Sequence, residues 1–439
     1  MDTNSFRSEN AAGLLDETRL MTERRARVLG PSYRLFYRNP VHLVRGQGAY
    51  LWDASGRQYL DVYNNVASIG HGHPAVAAAI SAQQGTLNTN TRYLHDGILN
   101  YSDELLATLP AEITQMMYMC TGSEANDLAI RVAHSFTGGT GVIVSSEAYH
   151  GNTSLTSELS PALGGAQQLG DNVRLIAAPD SYRVDTENLE DWFAARMQEQ
   201  IDDLAACGIK FSAFLADSIF SSDGVFSGPR GYLRKAIDVV HANGGVFIAD
   251  EVQPGFARTG EEFWGFARHA VVPDLVTMGK PMGNGVPISG MAARAEVLEP
   301  FAASIPYFNT FGGNPMSIAA AQAVLTTIKT EGLQEHSRQV GQQLRDELLA
   351  LAQTHEAIGD VRGSGLFVGL ELVTDRAGKT PGSSMALNVV ESLREDGVLT
   401  SVAGPHGNVL KLRPPLAFGA GDIDWLVSSL DRALHRAAE

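Results

Sequence analysis

The chain has 439 residues, more than a single hydrophobic core usually organises, so one large domain with a smaller companion is expected. Lys and Arg number 33 against 49 Asp and Glu, a formal charge of −16, which argues against a nucleic-acid surface or an anionic membrane as partner because both would be repelled. The 44% hydrophobic and 19% charged content is that of a folded globular protein, and 45 glycines point to many tight turns.

The first residues, MDTNSFRSENAAGLLDET, are polar and acidic with no apolar signal core, and no later stretch has the length to span a bilayer. A cytoplasmic protein is expected. Cys120 and Cys207 are the only cysteines, without a CxxC or Cys/His cluster, so neither a disulfide framework nor a metal site is supported. AYLWDASGRQYLDVY (49–63) predicts a hairpin turning at Asp53, Ser55 and Gly56. From Ser123 to Thr137 the residues Ala125, Leu128, Ala129, Val132, Ala133 and Phe136 fall on one helical face, after the short apolar run MYMC. VIVSS (142–146), FSAFLADS (211–218), VFIADEV (246–252) and LVTMGK (275–280) have the length and content of buried strands in a mostly parallel sheet. Asn314 and Pro315 open a long alanine-rich helix as cap and first-turn residue. Past Gly332 the pattern changes to a new α+β segment ending in amphipathic IDWLVSSLDRALHR. The expected division is a small domain from 1–64 and 333–439 around a large α/β domain over 65–332.

Open α/β sheets place ligand crevices at the carboxyl ends of their strands. Thr121-Gly122-Ser123-Glu124 sits at such an end, before a helix. Taken alone it reads first as a capping box from Thr121 to Glu124, and second as a phosphate cradle of free backbone N–H groups. Asp250 closes VFIAD, where a carboxylate needs either solvent or a buried cation such as a protonated pyridine nitrogen. Lys280 closes LVTMGK. Partial burial there would release the neutral amine that imine chemistry needs, although a strand-end lysine commonly reaches out to water. His71 and His73 in GHGHP read as turn structure, and Asn152 in NTS as a sequon without consequence in a cytoplasmic protein.

The order GSEAND, AYHG, IADEVQPGFARTG, TMGK and YFNTFGGNP resembles the class III aminotransferases, fold type I enzymes dependent on pyridoxal 5′-phosphate (PLP), over essentially the whole chain. The resemblance implies that Lys280 carries the cofactor as a Schiff base and that Asp250 pairs with the pyridinium nitrogen. It further implies that Gly122 and Ser123 hold the cofactor phosphate, that Tyr149 or His150 stacks on the ring, and that Val252 and Gln253 lie behind the ring and near its phenolic oxygen. Thr310 matches a threonine that reaches the cofactor of the neighbouring subunit, which implies a homodimer with composite sites.

The departures from the family pattern bear on the substrate. Many members that take α-amino acids set a glutamate where this chain has Ser222 and an arginine where it has Lys411, and they carry Glu-Pro where it has Asp217-Ser218. A guanidinium fork matches a carboxylate bidentately and an ammonium does not, so the device for handling two carboxylate substrates is missing. LGPSYRLFY, NNVASIGHGHP, LNTNTRYLHD, VTMGKPMGNGVP, IGDVRGSGLFVGLEL and GPHGNVLKLRPPL resemble a subgroup, the ethanolamine-phosphate and phosphohydroxylysine phospho-lyases. That resemblance implies elimination of phosphate from a small phosphorylated amine such as O-phosphoethanolamine, giving acetaldehyde and ammonia without a keto acid. Lys411 and Arg413, then Arg92 and Asn64, are the candidates for the departing phosphate, each of which also reads as a surface charge or turn residue. The alternatives are an ω-amino-acid or amine:pyruvate transaminase and a non-catalytic PLP-binding protein.

Overall fold

Seven short strands between residues 113 and 294 form the central sheet of the computed structural model, which describes residues 4–438. They are β1 (Ile113–Met119), β2 (Gly141–Ser145), β3 (Val173–Ile176), β4 (Phe211–Ala216), β5 (Val246–Asp250), β6 (Leu275–Met278) and β7 (Ser289–Arg294). Their order across the sheet is β1-β7-β6-β5-β4-β2-β3. Strand β7 runs antiparallel to both neighbours, and the other pairs are parallel. Every residue of β2, β4, β5 and β6 is buried, as the unbroken apolar runs require for strands covered on both faces.

Two strands escape the apolar-run criterion. β3 is an edge strand whose VRLI is buried at Val173 and Ile176 and open between them. β7 reads SGMAAR, poor in β-branched residues, because its neighbours leave little room: a Cβ on Gly290 would stand 2.8 Å from Met116 Cε. The helix before β2 spans Gly122–Thr137, and its buried stripe holds Ala125, Leu128, Ala129, Val132 and Ala133 as the spacing predicts. Phe136, expected on the same face, is exposed instead, and the stripe ends on buried Thr137, whose hydroxyl donates to Ala133 O at 2.8 Å.

The predicted hairpin forms from Tyr50–Asp53 and Gln58–Asp61, with Asp53 Oδ1 accepting from Ser55 N (2.9 Å) and Arg57 N (3.0 Å) across the turn. Leu43–Gln47 adds a strand on one side, and Val398–Leu399 pairs in parallel with Gln58–Asp61 on the other, so the two ends of the chain share one sheet. A further sheet joins Ile358–Ser364, Phe367–Asp375, Val409–Leu412 and Ser401–Ala403. Asn314 caps helix Pro315–Thr330 through Ser317 N (3.0 Å), and helix Ala420–Ala438 packs on Leu333–Thr354 and Ser383–Glu395. Among the described residues no helix is long and apolar enough to cross a membrane.

Candidate active site

The carboxyl ends of β1, β4, β5 and β6 face the same edge of the sheet, and there Gly122, Asp217, Asp250 and Lys280 follow or end their strands. A cleft of about 930 Å³ is lined by Gly122, Ser123, Asn126, Tyr149, His150, Asp250, Val252 and Lys280. A narrower cavity of about 330 Å³ adjoins it, sharing Tyr149, His150, Asp250, Val252 and Lys280 and adding Asp217, Ser222, Asp223 and Gln253.

Asp250 is buried and fully engaged on one oxygen. Its Oδ2 accepts from Asn126 Nδ2 at 2.9 Å and pairs with His150 Nδ1 at 2.7 Å, while Oδ1 accepts from Val252 N at 3.1 Å. Burial alone would raise this carboxyl, but His150 and the other donors hold it below the usual carboxylate range. Oδ1 keeps a lone pair for one more donor in the cavity. His150 is thereby fixed edge-on to Asp250 and buried, with Nε2 unpartnered, so half-buried Tyr149 is the aromatic residue free to cover a flat ligand.

Lys280 opens a tight turn, Lys280–Gly283, with φ +24°, a left-handed backbone rare outside glycine. More than a third of its surface is free, yet that surface faces the enclosed cleft, so its amine is desolvated all the same. Burial and the nearby Arg413 lower its pKa, against the pull of Asp250 and Asp217. It makes no hydrogen bond or salt bridge among the described residues.

At the mouth of helix Gly122–Thr137 the capping box and the cradle coexist. Thr121 Oγ1 accepts from Glu124 N at 3.2 Å and Glu124 Oε2 accepts from Thr121 N at 2.8 Å. The N–H groups of Gly122 and Ser123 remain at a positive helix end in a net-acidic protein. Gly122 packs closely on its neighbour: a Cβ there would stand 3.1 Å from Val252 Cγ2, which would have to shift by a few tenths of an ångström. Ser123 Oγ donates to Asn152 Oδ1 at 3.0 Å.

Lys411 and Arg413 lie two residues apart where Val409–Leu412 ends, so both side chains leave the same face of the sheet. Both are more than nine-tenths buried and both reach Gln253 Oε1, Lys411 at 3.5 Å and Arg413 through Nη1. Arg413 also donates to Tyr63 O from Nε (3.1 Å) and Nη2 (2.8 Å). They stand behind Gln253 and do not line the narrow cavity directly. Burial and Arg413 push the Lys411 amine down to about 7, with Asp217 opposing. Ser222 lines the narrow cavity, as its alignment with a substrate-facing position in the family suggests.

The structure does not bring the remaining candidates to this cleft. Asn64 acts in a turn, accepting from Val66 N at 2.8 Å and donating its own N–H to Asp61 Oδ1 at 2.9 Å. Arg92 lies on the surface with its guanidinium 3.9 Å over the Phe308 ring, and Thr310 is exposed close by in sequence. His71 bonds Asp61 Oδ2 at 2.7 Å, in keeping with a turn role.

Other residues of the site are not apparent from motif reading. Asn126 links Asp250, His150 O (2.8 Å) and Thr277 Oγ1 (2.5 Å); its one signal is a polar residue heading the buried stripe Asn126, Ile130, Ala133 and Thr137. Buried Asp223 accepts from Ser145 Oγ (2.7 Å) and Glu147 N (2.9 Å), and burial pushes it up to about 7. Buried Arg258 ties the loop after β5 to Leu366 O (3.2 Å) and Pro414 O, next to Arg413.

A model of the family described as Aminotransferase class-III matches residues 36–434. The chain belongs to the class III aminotransferase family. A phospholyase from Arthrobacter, solved in complex with phosphoethanolamine, superposes with a TM-score of 0.91 at 42% identity, over 94% of this chain and 99% of that one. A Caenorhabditis elegans protein named ethanolamine-phosphate phospho-lyase homolog 1 is 37% identical over 94% of this chain and 92% of its own length. A Drosophila melanogaster protein named alanine–glyoxylate aminotransferase 2-like is 40% identical over 90% of this chain and 83% of its own. The chain is thus a class III family enzyme of fold type I, and PLP is its cofactor. The residues fit that group: an unpartnered amine facing the cleft, a carboxylate with one open acceptor position, an unattached aromatic ring and a helix mouth with free N–H groups border one cleft.

Proposed function

We propose that the enzyme is a phospho-lyase that eliminates phosphate from O-phosphoethanolamine, consuming one water and yielding acetaldehyde, ammonia and inorganic phosphate. The observation that carries this reading is electrostatic. Four carboxyl groups surround the site, Asp223, Asp250 and Glu251 buried and Asp217 half-buried, and each is satisfied mainly by neutral or imidazole donors. Asp217 takes Ile219 N (3.0 Å) and the Ser221 hydroxyl, and Asp223 takes Ser145 and Glu147 N. Asp250 takes Asn126, His150 and Val252 N, and Glu251 takes Gly265 N (2.7 Å), Phe266 N (2.9 Å) and Ser218 Oγ (3.0 Å). Among the described residues, Lys280, Lys411 and Arg413 therefore have no carboxylate within salt-bridge distance. Lys411 and Arg413, buried without counter-ions, make a pair prepared for an anion.

PLP, when bound, supplies an electron sink for the carbon that carries the substrate nitrogen. In this reading Lys280 holds the cofactor and, once displaced, its neutral amine takes the proton from that carbon. Asp250, oriented by His150 and Asn126, keeps the ring nitrogen protonated. Gly122 and Ser123 would hold the cofactor phosphate, with Tyr149 and Val252 lining the cleft beside its ring. Substrate phosphate replaces Gln253 Oε1 as the acceptor for Lys411 and Arg413, which carry the growing charge as the C–O bond breaks. Ser222 and Lys411 stand where many members that take α-amino acids carry a Glu/Arg pair, so the switch that pair provides for an α-carboxylate is missing. The phosphoethanolamine bound by the Arthrobacter relative supports the substrate class.

Thr310 and Arg92 are assigned to the neighbouring subunit's site in a homodimer. Support comes from the exposed apolar surface that they share in sequence with Tyr93, Leu94, Phe308 and Phe311, a load that soluble monomers rarely carry. Phosphate release from O-phosphoethanolamine by the PLP-loaded enzyme, with no keto acid present, tests the reading, with Lys280→Ala as control. Sustained release with matching acetaldehyde supports a lyase. Absent release together with amino transfer from an ω-amine to pyruvate would make it a transaminase, a reading that the name of the Drosophila relative favours.

A further inference from the structure

Away from the cleft, one cluster of metal-type donors joins two helices. His355 is the C-cap of helix Leu333–Thr354, and Asp431 and His435 stand one turn apart on one face of Ala420–Ala438. His355 Nε2 lies 2.7 Å from Asp431 Oδ1, and His435 Nε2 lies 3.6 Å from the same oxygen. All three donor atoms fall within 4.8 Å of one another. The two imidazoles cross at 64° with centroids 4.7 Å apart, so their nitrogens converge without the rings stacking. Ligand atoms about 2.0–2.1 Å from a tetrahedral zinc stand about 3.4 Å from each other, within the spread of these separations.

Hydrogen bonding accounts for only part of this arrangement. The His355–Asp431 pair is complete at 2.7 Å, but His435 is too far from Asp431 to bond it and makes no other hydrogen bond among the described residues. Nearby cations are held elsewhere: Arg432 and Arg436 bond Asp396, and Arg376 bonds the carbonyls of Ala352, His355 and Ile358. Side-chain exposure runs from 8% at His355 through 46% at Asp431 to 71% at His435, which gives an ion a route in and leaves a side open for water.

We propose that His355, Asp431 and His435 form a three-ligand site for a zinc-type divalent cation, with water as the fourth ligand, that pins helix Ala420–Ala438 to the end of helix Leu333–Thr354. Two imidazoles and a carboxylate suit zinc and its late first-row neighbours and do not suit calcium or magnesium, which prefer all-oxygen sets. The two histidines stand on segments separated by 76 positions at the Asp431 pairing, so no local sequence pattern discloses the site.

The test uses PLP-loaded enzyme stripped with EDTA and then titrated with zinc chloride by equilibrium dialysis, with cobalt(II) as a spectroscopic probe. One zinc per chain is expected in the wild type, with a higher melting temperature. His435→Ala, a change at an exposed position, and Asp431→Asn, which keeps an acceptor for His355, should both lose that zinc and that shift while retaining the cofactor spectrum and turnover. Equal zinc binding by the wild type and both variants, or no saturable site in the wild type, overturns the proposal.

Discussion

Replacing Lys411 by Met removes the charge while keeping the length and apolar stem of a side chain only 7% exposed. A hydrogen bond to a charged partner contributes about 1.5–3 kcal/mol net, so kcat/KM for phosphate elimination should fall about 10- to 150-fold. The pH dependence is more diagnostic than the size. Burial and Arg413 push the Lys411 amine down to about 7, so it is charged below that pH and loses its charge above it. A phosphomonoester takes its second charge near pH 6, as about 6 is its second pKa. The wild type should therefore show kcat/KM rising through about 6 and falling beyond about 7. Lys411→Met should flatten the alkaline limb, and Lys411→Arg, whose group stays charged, should move it upward. Initial rates of phosphate release across this range decide the matter. A loss under about threefold in Lys411→Met, or an alkaline limb unchanged in both variants, would refute the role.

Asp250→Asn should cost about 3–5 kcal/mol of transition-state stabilisation by leaving a buried pyridinium unpaired, read as a loss of roughly 100-fold or more in single-turnover rate with the cofactor still bound. Gly151→Ala should weaken PLP retention and lower the melting temperature, because φ is +148° and the new Cβ would stand 2.5 Å from Thr156 Oγ1 and 2.7 Å from Ser123 Oγ. Asp223, raised by burial to about 7, adds stability that is complete below its unfolded pKa and lost as pH rises through about 7. Asp223→Asn can still accept from Glu147 N and meet Ser145, so thermal melts should show the variant gaining on the wild type between about pH 4 and 8, by up to about 4 kcal/mol.

The sequence made the frame of the site legible because its parts are local. Asp250 and Lys280 each close an apolar run, and Thr121 to Glu124 open an amphipathic helix, so adjacency alone sets them on the ends of β5, β6 and β1. What joins distant segments was not legible. Asn126 bonds Asp250 across 124 positions, and Arg258 reaches Pro414 across 156. The choice between Tyr149 and His150 turns on which ring Asp250 engages, a contact between positions 100 apart that motif reading does not show. Lys411 stands out through the departure from the family pattern and Arg413 as a nearby basic residue, yet that they meet at one amide oxygen of Gln253, about 160 positions away, is not legible in either. Asn64 illustrates the opposite case, since its turn bonds account for it without a ligand.

The uncompensated cations also bear on how Lys280 can act as a base. Burial and Arg413 lower the pKa of both Lys280 and Lys411, and Lys280 further disfavours the charge on Lys411. An arriving phosphate dianion favours the charged form of whichever amine it touches. Lys411 and Arg413 share Gln253 as their acceptor and Lys280 does not, so the proposed phosphate site predicts that the dianion settles its charge on Lys411. On that reading Lys280 then faces two cations and stays neutral, the state in which it can remove a proton. The pair proposed to hold the leaving group would thereby keep the proposed base free. Binding of the phosphoester at about pH 8 should accordingly take up close to one proton per site, measurable by calorimetry in buffers of different ionisation enthalpy. Uptake that persists in Lys411→Met would show that the proton goes elsewhere and would break the link between phosphate binding and the neutral lysine.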